Sequence, residues 1–504
     1  MRNIIILLAW SVAVAHSAVI RGVVLEHSTG RPLARAEVRI SSVGARGAGG
    51  AVTTRANSSG LFFVSGLAPG GYLLSAVRKG FAVLRYGQKT WKAAGTPIIL
   101  PEQDSSFVAE LRLRRLGAIT GAVLDENQVG LPDQQVFAYQ ATRPPRLITK
   151  AKTDDRGIYR IGELLPGRYY VRTRGGGLEE DPSPAPTFFK ESASVDEAIP
   201  VEVELDGQAS DVNIQPPFQK LYRLSGSAQI ARQAFTGLSV ELMSDMGPVG
   251  GSVDSSGGFV YEQLSPGTYE LRAEAISRTG MKLGGYQKLT LESDLSDVSL
   301  PLGPFIDMHF EFADPQGSHV DGTGSKVSAR RVDLAGKGPV RPLRPEDDEL
   351  PPGPWEISVT PPAKRYVVSI SRSGHDDMPK LADGWKEFLI AGNFLAVRVG
   401  LSPSPAALHG IVMASADQPA IGAPVFLKPA DADTGAGLTG PRITTADMSG
   451  RYHFTGLPPG NYLVFSSFDF QTLDDVEVPA AATTTVSLKE GVESRQDLDL
   501  FAAP

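Results

Sequence analysis

Seven histidines, three acidic clusters and four aromatics outside any repeat are the residues of this chain whose types invite chemistry. Zinc hydrolysis needs paired ligands such as His-x-x-Glu or His-Glu-x-x-His, which bring two groups to one metal ion. His16, His27, His309, His319, His375, His409 and His453 form neither pattern, and His453 reads as a strand histidine. The Gly-x-Ser-x-Gly elbow, the phosphate-binding loop and the dinucleotide glycine fingerprint are all absent. With no cysteine, thiolate nucleophiles, thiolate metal sites, lipid-modified cysteine anchors and disulfides are excluded together. Calcium requires about six or more oxygens around one point. Asp154-Asp155 belongs to a turn, Glu346 to Glu349 reads as a solvated loop, and neither these nor Asp376-Asp377 is assigned to calcium. The sequence thus offers no catalytic residue, no cofactor-binding residue and no metal ligand. Tyr86, Trp91, Phe188 and Phe189 stand outside the repeated strands, where rings either stack on sugars or partner proteins or cover exposed sheet edges.

The elements that would position such residues announce themselves by repetition. Asn57 to Tyr72 reads NSSGLFFVSGLAPGGY, and three further stretches repeat its plan: Asp154 to Tyr169, Asp254 to Tyr269 and Asp447 to Tyr462. Each begins with Asp or Asn, has Gly at its fourth position (Gly60, Gly157, Gly257, Gly450), and ends in Leu-x-Pro-Gly-x-Tyr. The closing residues are Pro69, Gly70 and Tyr72; Pro166, Gly167 and Tyr169; Pro266, Gly267 and Tyr269; and Pro459, Gly460 and Tyr462. A fifth, eroded copy survives as Leu350-Pro-Pro-Gly-Pro-Trp355. Turn chemistry explains these types. An Asp or Asn side chain accepts from backbone N–H groups two residues on, and glycine tolerates positive φ. Pro-Gly suits a type II turn, with glycine in its left-handed slot. The Tyr then opens a strand, its ring expected in the core and its hydroxyl on a backbone partner, as in a tyrosine corner.

The terminal aromatics are spaced by 97, 100, 86 and 107 residues. That period is the size of an independent domain rather than of a solenoid repeat, so the reading is beads in a row. Alternation of period two, as at Val38 and Ile40, Val136 and Ala138, and Val240 and Leu242, marks strands with one buried face. No segment sustains a helical period with caps. The expected fold is all-β, a tandem array of five antiparallel β-sandwiches (transthyretin-like or Ig-like) with little helix. Expected bounds are a leader at 1–17 and sandwiches at 18–116, 117–218, 219–303, 304–404 (degenerate) and 405–504.

Arg2, the apolar run from Ile4 to Ala15, and small residues at Ala13-Val14-Ala15 or Ala15-His16-Ser17 read as a cleaved secretory signal. No later stretch approaches the ~18 apolar residues of a membrane span. Hydrophobic residues at 41% suffice for packed cores, and 54 glycines with 38 prolines favour short strands between turns. The balance of 49 basic against 56 acidic residues lacks the one-sided basic surface that nucleic acid demands.

The opening Gly-x-Val, the Gly-x-Pro-Leu turn, the Asp-x-x-Gly-x-Phe/Tyr turn and strand, and the Leu-x-Pro-Gly-x-Tyr ending together resemble the carboxypeptidase regulatory-like domain, a transthyretin-like (prealbumin-like) β-sandwich. Tandem copies of that module resemble those of large exported bacterial proteins. The resemblance implies no peptidase activity, because in metallocarboxypeptidases the module sits beside the catalytic domain. The expectation is a non-enzymatic, periplasmic, outer-surface or secreted binding or scaffold protein, whose partner is a protein or polysaccharide of the envelope or exterior. The alternatives are a carbohydrate-binding protein of the cell envelope and an accessory subunit of an exported hydrolase or transporter.

Overall fold

The computed structural model describes residues 17–43, 51–142, 145–176, 182–229, 235–344, 348–362, 364–373, 384–430, 438–471 and 482–502. The expected leader lies outside these residues except for Ser17, as do His16, His375, Glu346, Asp347, Asp376 and Asp377. The described residues are almost wholly strand and turn, with no α-helix.

The repeat becomes geometry in four turns. Asn57 Oδ1 accepts from the backbone N–H of Ser59 at 2.9 Å and of Leu61 at 3.0 Å. Asp154, Asp254 and Asp447 accept from the equivalent positions at 2.7 to 3.0 Å. The closing aromatic then reaches back four residues. Tyr72, Tyr169, Tyr269 and Tyr462 donate to the carbonyls of Ala68, Leu165, Ser265 and Pro458 at 2.7 to 2.8 Å. In the eroded copy the indole N–H of Trp355 donates to Pro351 at 3.0 Å.

The Pro-Gly glycine differs from the type II expectation. Its φ is 155° at Gly70, 154° at Gly167, 153° at Gly267 and 147° at Gly460, against about +80° in a type II turn. Glycine is the first residue of the following strand: Gly70 pairs with Leu100 and Gly460 with Leu488. An extended positive-φ conformation launches that strand at once, and only glycine enters it readily.

Each signature closes a pair of sheets over its own core. In the first, one sheet orders Leu61–Leu67, Ala18–Glu26 and Ser106–Leu113. The other is built on Glu37–Ser42 and Gly70–Val77. Val38 and Ile40 point into the core while Glu37 and Arg39 face out. Five clusters of buried residues recur along the chain, and they include Leu67 with Tyr72, Leu164 with Tyr169, Leu264 with Tyr269, Leu350 with Trp355, and Leu457 with Tyr462. Truncating one of these rings to alanine would cost about 3–5 kcal/mol.

Neighbouring strands are mostly antiparallel, but the first strand of each sandwich pairs parallel with its last. Ala18–Glu26 runs beside Ser106–Leu113, and Ile306–Ala313 beside Phe394–Ser402. The other three sandwiches repeat the arrangement. A parallel pair requires a long crossover, and here the rest of the sandwich supplies it. The chain therefore leaves each sandwich at the end opposite its entry, where the next one starts.

That pairing explains the glycine of the opening Gly-x-Val. A Cβ on Gly22 would lie 1.9 Å from the carbonyl oxygen of Ala109 in the last strand. On Gly410 it would lie 1.8 Å from the Gln496 carbonyl and 2.9 Å from the Tyr452 ring. Just before the signature leucine each copy bulges through a left-handed residue: Gly66, Glu163, Gln263 and Gly456, at φ 57° to 79°. Two of these are not glycine and carry roughly 1–2 kcal/mol of backbone strain.

Two substitutions test these constraints against each other in thermal unfolding. Gly410→Ala presses a methyl group on a backbone carbonyl and lowers stability by about 1–3 kcal/mol. Glu163→Gly relaxes the bulge and raises stability by about 1 kcal/mol.

Candidate functional site

The strand Gln135–Gln140 buries Val136 and Ala138 in the second core, so Phe137 and Tyr139 face away from it. Its antiparallel neighbour Gly167–Thr173 sets Arg172 opposite Phe137 and Tyr170 opposite Tyr139. These two strands thus set three aromatics and one cation on the outer face, and Lys150 of the neighbouring strand Arg146–Lys152 stands beside Phe137. Phe188 covers part of it, 6.2 Å from Tyr170 between ring centres and 5.2 Å beneath the Arg172 guanidinium. Met246, on the tight turn after Phe235–Ser244 in the third sandwich, completes a small satellite core with Tyr139, Tyr170 and Phe188.

Beside this contact the second and third sandwiches leave a cleft of ≈ 840 Å³. Tyr139, Phe137 and Arg172 line one wall, Asp245, Pro266 and Tyr269 the other, and Leu334 of the fourth sandwich reaches its rim. Arg172 Nε is buried and has no hydrogen-bond partner. Burial pushes the Tyr139 hydroxyl pKa up, against the nearby Arg172 charge. Burial likewise pushes Tyr269 up to about 12; Arg172 opposes that shift and Asp245 adds to it. Arg174 crosses the junction, its Nη2 lying 3.1 Å from where a Cβ on Gly250 would stand.

The four aromatics singled out from sequence are dispersed. Tyr86 packs against the first core with its ring edge-on to Phe107 at 5.4 Å. Trp91 is half-buried with Lys92 Nζ 5.4 Å from its ring centre. Phe189 packs on the second core, and Phe188 is 2% exposed, supporting Arg172 behind the cleft wall. Sequence reasoning missed the cleft residues themselves. The available signal was two rings at alternate positions, Phe137 and Tyr139, on the face opposite Val136.

His453 pairs across its sheet with His409. Glu493 Oε1 stands 3.2 Å from His409 Nδ1 and 3.5 Å from His453 Nε2. Among the described residues no group of three or more His, Asp or Glu is placed to hold a metal ion.

Against known families, residues 19–98 match the carboxypeptidase regulatory-like domain. No curated protein matches the chain. Among solved structures, the chain is similar to the minor pilin GBS52 of Streptococcus agalactiae, at 13% identity over 41% of this chain and 99% of that one, with a TM-score of 0.24. It is also similar to the BcpA major pilin subunit of Bacillus cereus, at 12% identity over 76% and 99% with a TM-score of 0.16. The Bacillus anthracis TIE protein gives 12% identity over 92% and 68%, also at 0.16. At such scores these likenesses do not bear on what this chain does.

The raised tyrosine at the cleft has a pH consequence. A phenol whose pKa is higher in the folded state than its ordinary 10 contributes stability below pH 10 that is lost as pH rises. The third sandwich should unfold more easily as pH climbs from 10 to about 12. Tyr269→Phe should flatten that part of the profile of unfolding midpoint against pH.

Proposed function

We propose that the chain is an exported, non-enzymatic scaffold and binding protein of five structural units, 18–116, 117–218, 219–303, 304–404 and 405–504, following a leader at 1–17. The observation that carries this reading is that the units are joined by side chains rather than merely strung together. Between the first and second, Arg114 Nε donates to Asp206 at 2.8 Å, and the backbone N–H of Arg115 donates to the same carboxylate at 2.7 Å. Between the third and fourth, Arg272 meets Asp333 at 3.2 Å and Arg331 meets Glu274 at 3.0 Å. Glu490 of the fifth accepts from Tyr366 and Ser402 of the fourth at 3.2 and 2.8 Å.

The fifth unit also touches the first. The backbone N–H of Ala94 donates to Phe468 at 2.7 Å, and Gln471 Nε2 donates to the Ala93 carbonyl at 2.8 Å. A row whose ends meet holds its clefts in fixed shape, which suits presentation of a surface. The regulatory-like domain at the N-terminal end supports a role without catalysis, as does the absence of a catalytic motif from the sequence. A second reading, carbohydrate binding, is favoured by one feature: a cleft that combines the half-buried Phe137 ring with charged and amide side chains.

The natural chain has no cysteine, so a cysteine pair in the variant Ala94→Cys/Phe468→Cys reports on closure alone. Mild oxidation should link the two within one molecule and speed its migration on a non-reducing gel. Failure to link in folded protein would mean an open row and would remove the basis of the scaffold reading.

A further inference from the structure

The geometry points to the cleft between the second and third sandwiches as a binding site for an acidic saccharide, a sugar chain bearing carboxylates of the hexuronate type. The proposal rests on the scaffold-and-binding reading and names its ligand class. Three observations carry it.

The first is the state of Arg172. Its guanidinium is held by stacking on Phe188 at 5.2 Å and is flanked by the Tyr139 hydroxyl. Among the described residues it has no ion-pair partner, and its buried Nε has no acceptor. A buried donor without an acceptor is left paying its desolvation with nothing in return, so a guanidinium left this way at a cleft wall is set up for an acceptor from outside. The rigid fork of Arg fits a carboxylate with two parallel N–H···O bonds.

The second is that this cation is not alone. Arg174 and Lys150 also line the cleft, with Lys150 Nζ 5.9 Å from the Phe137 ring centre; Glu191 stands on the same sandwich, and Asp245 and Glu262 face them from the third. Three cations against one carboxylate on the second-sandwich wall match a chain with repeated negative charge better than a single anion. The third is the rest of the lining. Asp245, Glu262 and the amide of Gln135 provide acceptors and donors for hydroxyl groups, while Phe137 and Pro266 provide apolar faces for a sugar ring. A peptide carboxyl terminus would use the cations but leave those hydroxyl-directed groups without a role.

The test uses the full-length protein and isothermal titration with trigalacturonate, maltotriose and a short peptide with a free carboxyl terminus. Trigalacturonate should bind, with affinity falling as salt rises, and maltotriose should bind at least about tenfold more weakly. Arg174→Gln alters an exposed side chain and should weaken trigalacturonate about tenfold without altering the unfolding midpoint. Arg172→Lys keeps the charge but not the fork, and should weaken it by at least as much. Equal binding of trigalacturonate by parent and both variants would overturn the site. Binding of the peptide but not the saccharide would overturn the ligand class. No binding of any probe, in a protein whose Ala94→Cys/Phe468→Cys variant still cross-links, would sink this inference and leave the scaffold reading standing. Cleavage of bound trigalacturonate would do the reverse, keeping the site and removing the non-enzymatic reading.

Discussion

One hydrogen bond organises every sandwich: a ring donor on the first core position of a strand returns to the carbonyl four residues earlier. The turn it spans contains proline, which has no N–H to give, and a glycine in an extended positive-φ conformation. Without the ring, the carbonyl that precedes this proline would be left at the core boundary with no partner. With it, one side chain satisfies that carbonyl, fills the core and fixes where the strand begins. The fourth sandwich is the informative case. It has replaced phenol by indole and lost the Asp-x-x-Gly turn, yet Trp355 makes the same bond and occupies the same core position. Ring identity can drift; the bond and the volume persist.

Most of the fold could be read because its cues are local. An Asp accepting from its own turn, a Pro-Gly step and a period-two strand are each decided within about ten residues, and the structure contains all three. What escaped was non-local. The parallel pairing of first and last strands joins segments such as Ala18–Glu26 and Ser106–Leu113, and no motif records it. Its trace was in plain view as the opening glycine, whose need becomes evident only once a carbonyl is seen 1.9 Å from its absent Cβ. The bulge at Glu163 and Gln263 was hidden for a related reason. Two of the four copies use glycine there and two do not, so the residue type does not betray the shared left-handed conformation.

The site was less legible than the fold because it is assembled by tertiary contact. Attention to rings outside the repeat led to Phe188, which proves to be a support for Arg172. The rings that line the cleft, Phe137 and Tyr139, lie inside a repeated strand and were read only for their neighbours Val136 and Ala138. Outward aromatics on a strand whose inward face already fills a core are a signal of a second contact. Here that contact is with Met246 of another sandwich, and no sequence pattern around position 246 would have matched the two.

The junctions between sandwiches also differ in a way that bears on where a ligand can enter. At the first, Asp206 answers the Arg114 guanidinium and the backbone N–H of Arg115. At the third, Asp333 and Glu274 answer Arg272 and Arg331, and at the fourth, Glu490 answers two hydroxyl groups. Partly exposed pairs of this kind add little net stability, but they fix geometry by penalising any arrangement that leaves a charge unmatched. The second junction departs from the pattern. It is held by apolar contact around Met246, it keeps a void, and its central cation is supported from behind by a ring rather than neutralised from the front. A junction meant only to hold two sandwiches together would have closed over that charge as the others do. Leaving it open gives up local packing for access to the guanidinium, and that access is what the proposed saccharide site rests on.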